Sequence, residues 1–448
     1  MDGRMTEGPI ARQLIRFSIP LILSGLLQQL YSWADALIVG NFAGEAALAA
    51  IGATNAVHTL YVALLAGFSV GVSILVSRAY GERDDAAVTR TSSTFLLLLT
   101  AMSLGLVAIG LLLSRPLLVL LGTPEEIMNQ ALEYLRIMML GLPFLAAYNC
   151  YNAVLRGIGD SRTPLLAIIV SSLLNVALDL LFVGGFGWGV AGAAVATVLS
   201  QALMVVFLIV YVPRRHTLLR LPPRRSMVDK TALRGGLSLS LPTTLQSGVR
   251  SIGALMLQNV QNSFGAQVIA AITTAYRIDM LGLLPTTNIG AGISTFTAQN
   301  HGAGQLDRAR RGLWIGSAIA FVTSLVTTVI FVLAGETLMR LFGVSEGAVR
   351  IGRDFLHFCA VFYPIFGVQT AFIGYLQGMG DVRFAAFATI SSLAMRVVLS
   401  YAFAGIAGHA IIAYSEMASW VYCLILCVGR YWFRFRKGKL DDPPKAAG

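Results

Sequence analysis

Charge is what this chain has least of. Only 12% of its 448 residues are Asp, Glu, Lys or Arg and 56% are hydrophobic, whereas an average globular protein carries about 25% charged residues. That excludes an ordinary soluble enzyme. Cysteine is scarce as well: Cys150, Cys359, Cys423 and Cys427 all fall in apolar stretches and none forms a CxxC pair, which excludes a disulfide framework and a zinc site. Cys423 and Cys427, four apart on one helical face, read as small core residues. The five histidines, at 58, 216, 301, 357 and 409, are scattered without metal-ligand spacing. No nucleophile stands beside a base, and no glycine-rich phosphate loop ending in Lys-Ser or Lys-Thr occurs. Membrane-embedded enzymes and ATP-driven pumps are thereby disfavoured, and neither a cofactor nor a nucleotide is expected. No cleavable signal is evident, because residues 1–16 are polar and the first apolar run is long enough to stay as a span.

What the chain has is length without charge. Residues 17–34, 46–77, 91–114, 180–213 and 312–335 contain no Asp, Glu, Lys or Arg, and a transmembrane helix needs about 20 such residues. Glycine, proline and charge punctuate the sequence into twelve helices, near 15–40, 53–78, 91–114, 127–154, 163–183, 189–211, 237–263, 267–297, 312–334, 348–375, 384–403 and 409–432. The expectation is an all-α integral membrane protein of the cell membrane. About three quarters of the 33 Lys and Arg lie in alternate connections and in the two terminal segments, which predicts that both termini are cytoplasmic. The formal charge of +11 belongs to a membrane surface on this reading, with lipid as the partner and no nucleic acid.

The chain repeats itself at a spacing of 221 residues. Leu155-Arg-Gly-Ile-Gly-Asp-Ser-Arg162 matches Leu376-Gln-Gly-Met-Gly-Asp-Val-Arg383, and the same offset pairs Gly44 with Gly265, Gly71 with Gly292, Gly122 with Gly343 and Pro143 with Pro364. Six helices is an even number, so two six-helix lobes related by a pseudo-two-fold along the membrane normal are predicted. The boundaries are an N-terminal lobe at 1–212, a basic cytoplasmic linker at 213–234 containing Pro222-Pro223-Arg224-Arg225, a C-terminal lobe at 235–436 and a cytoplasmic tail at 437–448. Duplicated lobes are the architecture of an alternating-access carrier.

Two acids stand out in the first lobe. Asp35 lies deep in helix 1 and Asp179 late in helix 5, where an ionised carboxylate costs a few kcal/mol unless it faces a cavity or a partner. Ser24, Gln28, Tyr31 and Asp35 recur at three- and four-residue steps, as do Ser171, Asn175 and Asp179, so each helix carries one polar stripe. Asn175 sits one turn from Asp179, and Thr197 on the next helix offers a third oxygen. Hard oxygen donors of this kind suit an alkali ion or a proton. Shifting by the repeat puts Arg396 at the place of Asn175 and Ser400 at that of Asp179, so the second lobe lacks the acidic cluster. Its own intramembrane charges, Arg250, Arg277, Asp279, Asp354 near His357, Arg396 and Glu416, read as structural pairs. Pro20 in helix 1 is a candidate hinge beside Asp35.

Ile19-Pro20, Gln28-Gln29-Leu30-Tyr31 with Asp35 and Ile38-Val39-Gly40, the twin Gly-x-Gly-Asp loops and Asn175-x-x-x-Asp179, in this order and spacing, resemble the multidrug and toxic compound extrusion (MATE) transporters over essentially the whole chain. The resemblance implies a secondary antiporter, working as a monomer, that exports small organic and often cationic compounds against inward sodium or protons. It also implies a cation site at Asp35, Asn175, Asp179 and Thr197, and a hydrogen-bonded cavity network at Gln28, Tyr31, Tyr134, Asn149 and Asn152. The alternative is a flippase for a lipid-linked sugar or peptide precursor.

Overall fold

The computed structural model describes residues 4–220 and 228–436; the Pro222–Arg225 run of the expected linker and the tail at 437–448 lie outside the described residues. Within them the chain is helical and contains no strand. Thirteen α-helices run in order: α1 (Ile10–Phe42), α2 (Glu45–Gly81), α3 (Asp85–Leu120), α4 (Glu125–Leu140), α5 (Leu142–Gly157), α6 (Arg162–Asp179), α7 (Gly189–Arg215), α8 (Lys230–Asn262), α9 (Ala266–Gly302), α10 (Leu306–Leu341), α11 (Glu346–Gly378), α12 (Val382–Ala407) and α13 (Ile411–Arg436). A π-helical turn, Leu180–Gly185, extends α6.

Helices α4 and α5 are the one expected span of 127–154, broken by a 44° bend. The bend falls at Gly141, one residue before the α5 N-terminus, where Pro143 cannot supply an N–H to the helical ladder. A Cβ at Gly141 would stand 2.8 Å from Val198 of α7, so the break brings backbone close to a neighbouring helix. In the second repeat Pro364 lies inside an unbroken α11. With α4 and α5 taken together, twelve helices make the fold.

By length and hydropathy nine described helices are able to cross a membrane, or ten with the bent pair. The shortfall from twelve has two causes. Helices α12 and α13, joined by a single 3-10 turn, run together as one apolar stretch of 53 residues. Helix α8 is 33 residues long but averages too little hydropathy, because it carries Ser238, Ser240, Thr243, Thr244, Gln246, Ser247, Arg250 and Ser251.

The repeat seen in the sequence is also a repeat of helix ends. At the offset of 221, Glu45–Gly81 falls on Ala266–Gly302 and Glu125–Gly157 on Glu346–Gly378. The left-handed turn residues follow the same register: Gly44 with Gly265, Gly122 with Gly343, Gly159 with Gly380 and Gly187 with Gly408.

The chain divides into two compact units. The first is Ile19–Gly248 with a few N-terminal residues and Gly302–Gly304; the second holds Val249–His301, the chain from Gln305 onward and the detached segment Gly8–Ser18. Helix α1 therefore changes unit at Ser18/Ile19, beside Pro20, and α8 changes at Gly248/Val249. In the first unit Val72, Val76, Phe95, Leu99, Leu118, Met139, Leu155 and Leu208 form the fully buried core. In the second, Ile272, Met339, Leu356, Cys359 and Tyr363 do so.

Small residues let helices in the first unit approach closely. Gly67 and Gly71 of α2 lie against α8: a Cβ at Gly71 would be 2.5 Å from the Ser240 backbone nitrogen, and one at Gly67 would be 2.5 Å from the Thr244 Cα. The approach lets Ser240 Oγ donate to the Phe68 carbonyl at 3.0 Å and Thr243 Oγ1 to the Gly67 carbonyl at 2.6 Å. Small-residue packing with interhelical hydroxyl bonds is how helices associate where water supplies no driving force.

Candidate functional site

Helices α1, α6 and α7 of the first unit bring the acidic cluster together. Asp179 is fully buried at the end of α6, and Asn175 is buried one turn before it. Asn175 Nδ2 donates to Thr197 Oγ1 of α7 at 3.4 Å. The Asp35 and Asp179 carboxyls, from α1 and α6, lie within mutual hydrogen-bond reach. Two carboxylates have no donor between them, so this contact needs a proton or a cation. The rest of the surroundings supply none: Asp35 Oδ1, both oxygens of Asp179 and Asn175 Oδ1 are buried without a hydrogen-bond donor. Four orphaned acceptors in one cluster are a concentration of negative potential with nothing positive beside it, and the donor set of oxygens fits a proton or an alkali ion. Tyr31 and Tyr134 stand close enough for their hydroxyls to sense both carboxyls.

A cavity of about 390 Å³ opens one turn away, within the first unit. Gln28, Gln29, Tyr31 and Ser32 of α1 line it, with His58 and Thr59 of α2, Tyr148 of α5, Ser171 and Ser172 of α6, and Ser200 and Gln201 of α7. Tyr31 borders both the cavity and the acidic pair, so the two share a wall. Apolar surface comes from Val62, Leu145, Ile168 and Met204. This mixture, mostly hydroxyls and amides over an aliphatic base, suits a small organic molecule.

Of the residues expected from the sequence, Asp35, Asp179, Asn175 and Thr197 meet in the cluster, with Tyr31 and Tyr134 beside them. Gln28 lines the cavity instead. Asn149 turns back on its own helix, its amide donating to the Leu145 carbonyl at 2.9 Å, and Asn152 is half-buried on α5 with no hydrogen bond to the cluster among the described residues. Pro20 lies in α1 four residues before Ser24, whose hydroxyl fills the Pro20 carbonyl at 2.7 Å. Sequence reasoning passed over His58. A signal was present, since the repeat offset places it opposite Asp279, a position that carries an ionisable group in both halves.

The second unit is wired differently. Arg396, at the Asn175 position, pairs with Glu416 at 2.9 Å and donates to the Tyr276 hydroxyl at 2.6 Å. Ser400, at the Asp179 position, donates to Ser415 Oγ at 2.8 Å, and Asp279 accepts from Tyr363. Its buried acids thus have donors, as structural pairs should. Of the intramembrane charges expected to pair, Asp354 bonds to its neighbour Arg353 at 2.9 Å on the surface, whereas Arg250 and Arg277 have no partner among the described residues.

Both Gly-x-Gly-Asp loops are clamps. Asp160 accepts from the Arg162 and Thr163 amides at 3.0 and 3.1 Å and from Thr163 Oγ1 at 2.6 Å, capping α6. It also meets Arg215, the last residue of α7, at 3.4 Å and His216 just beyond it at 2.8 Å. Burial disfavours its charge, but the bonds from His216 and Thr163 outweigh burial and hold the carboxyl well below the usual carboxylate range. Asp381 repeats the ionic link, with Arg430 at 2.7 Å and Arg434 at 3.2 Å of α13, but its side chain does not cap α12.

A sequence model described as MatE matches residues 20–181 and again 242–402. The chain is 32% identical to a Bacillus subtilis protein named as a probable multidrug resistance protein, YpnP, over 84% of each chain. It is 28% identical to the probable multidrug resistance protein NorM of Thermotoga maritima, over 83% of this chain and 81% of that one. Among solved structures it resembles the outward-facing conformation of a multidrug resistance MATE family transporter of the MOP superfamily, with TM-score 0.90, 27% identity and coverage of 97% and 98%. It also resembles a MOP superfamily transporter from Pyrococcus furiosus, with TM-score 0.87, 27% identity and 99% coverage of both; that structure's description states that a binding pocket of reverse polarity suggests a different function.

Proposed function

The chain belongs to the MatE family, a transporter family rather than an enzyme family, and on that premise we propose that it is a secondary antiporter that exports small organic compounds in exchange for an inward-moving cation. The two repeats act as the two lobes of an alternating-access carrier in the cell membrane, with both termini cytoplasmic. The coupling ion, sodium or proton, binds at Asp35 and Asp179 with Asn175 and Thr197, and the organic molecule occupies the adjoining cavity at Gln28 and Tyr31. Tyr134 borders this network, and Pro20 is where α1 yields when the site changes state.

The carrying observation is the set of orphaned oxygens on Asp35, Asp179 and Asn175. Leaving so many buried acceptors unmade costs several kcal/mol, a cost that a bound proton or sodium ion relieves. Because Tyr31 touches both compartments, a cation between the acids and a substrate in the cavity compete for its orientation, which is the linkage that exchange requires.

The test is efflux from proteoliposomes under a sodium gradient or a pH gradient imposed separately. One gradient should drive wild-type transport, and Asp35→Asn and Asp179→Asn should each abolish it at matched protein levels. Near-normal driven efflux by Asp35→Asn rejects the site, and no response to either gradient rejects the antiporter.

A further inference from the structure

Helix α8 carries a guanidinium with no counterpart. Its lipid-side stripe is Leu241, Leu245, Ile252 and Leu255, all exposed, and Arg250 lies about 140–180° around the helix from these residues at 3.6 residues per turn. It sits instead on the polar stripe of Thr243, Gln246, Ser247 and Gln261. Thr243, Gln246 and Gln261 on that stripe are buried, yet Arg250 is exposed and has no hydrogen-bond or ion-pair partner among the described residues. An arginine that is exposed on the inward face of a membrane helix borders water, because hydrocarbon would cost several kcal/mol.

Depth supports this. Arg250 precedes the α8–α9 turn at Phe264 by fourteen residues and Arg277 follows it by thirteen, so both lie about 20 Å along their helices from that turn. Snorkelling does not reach so far. Arg277 is likewise exposed and unpartnered among the described residues, on a stripe with Ala270, Thr273 and Met280. The deep acids offer nothing to either arginine: Asp35 and Asp179 face each other, Asp279 is held by Tyr363, and Glu416 by Arg396. No acidic side chain lines the cavity of the first unit.

We infer that the transported molecule carries an acidic group, a carboxylate, sulfonate or phosphate, and that Arg250 receives it, with Arg277 supplying a second positive charge at the same depth. A guanidinium left without a carboxylate in the membrane interior is a pre-formed bidentate receptor for such a group. This rests on the antiporter reading and fixes the charge of its substrate.

Three probes test it in the same proteoliposomes: carboxyfluorescein as a water-soluble anion, ethidium as a cation, and a fluorescent phosphatidic acid followed by external quenching. Wild type should move one of the two anions with a half-saturation at least tenfold below that for ethidium. Which anion moves distinguishes a soluble organic acid from a lipid phosphate. R250Q should raise the anion's half-saturation tenfold or more while leaving ethidium unchanged or improved, and R250K should recover part of the loss. Gradient-driven ethidium transport that exceeds both anions, or anion transport untouched by R250Q, overturns the acidic-substrate inference and leaves the antiporter standing. Should R250Q fail to insert, the wild-type ratio between anion and ethidium decides alone. If no probe moves under any gradient, the antiporter reading and this inference fall together.

Discussion

Arg83 holds a left-handed backbone, φ 62°, in the turn between α2 and α3. The equivalent residue of the second repeat is Gly304, φ 71°. A side chain there costs about 1–2 kcal/mol, and what Arg83 gains is an exposed ion pair with Glu7 at 3.5 Å, a kind worth little. Arg83→Gly should therefore stabilise the protein by about 1 kcal/mol, read as a higher midpoint of thermal unfolding in detergent; a lower midpoint would show that Arg83 does something the turn does not explain. Asp160 gives the opposite case. Its carboxyl lies below the ordinary range in the folded state, so the stability it contributes is complete above the unfolded value near pH 4 and is lost as pH falls through the folded value. Asp160→Asn should unfold at a lower temperature than wild type at pH 7, and the gap should narrow at pH values below about 4. A gap that widens on acidification reverses the sign of the claim. At this scale the sequence spoke clearly where chemistry was costly: Asp35 and Asp179 stood out because acids in apolar runs demand a reason. Ser172, Gln201 and His58 were silent, since a hydroxyl, amide or imidazole on a membrane helix serves equally as interhelical glue, and only the fold shows which side is hollow.

Helices in this protein are set by what small residues permit. Gly71 lets α8 come within backbone contact of α2, whereas a Cβ at Gly105 of α3 would meet nothing within 4 Å. Gly71→Ala should lower the unfolding midpoint by several degrees, because Ser240 backbone cannot swing away as a side-chain tip would, and Gly105→Ala should raise it slightly by improving helix propensity. Equal effects in the two variants would mean that the α2–α8 approach is not tight in solution. Element boundaries were largely readable, because charge and glycine mark the ends of apolar runs. The break between α4 and α5 was not. Pro143 can kink a helix, but Pro364 at the same place in the repeat leaves α11 whole, so proline alone does not decide; Gly141 and its close approach to Val198 do.

The whole molecule should present both ends of the chain to the cytoplasm, given where its arginines and lysines gather. A reporter active only in the cytoplasm, fused after Gly448, should function, and a fusion active only outside would invert the topology. The repeat made the two-part plan legible from sequence. It did not reveal where the parts exchange chain, since α1 and α8 are each continuous helices whose composition does not change at Ser18 or Gly248.

That exchange bears on how such a gene can be cut. A fragment ending near residue 220 would keep Gly67 and Gly71 but lose Ser240 and Thr243, the hydroxyls that close on them, while carrying Gly8–Ser18, which packs with the other unit. Each half is born with a piece of its sibling's interior. Separately made halves should be degraded, co-made halves should find each other and survive, and a duplicated ancestor that once paired two identical chains would, after fusion, have become unable to return to independent life.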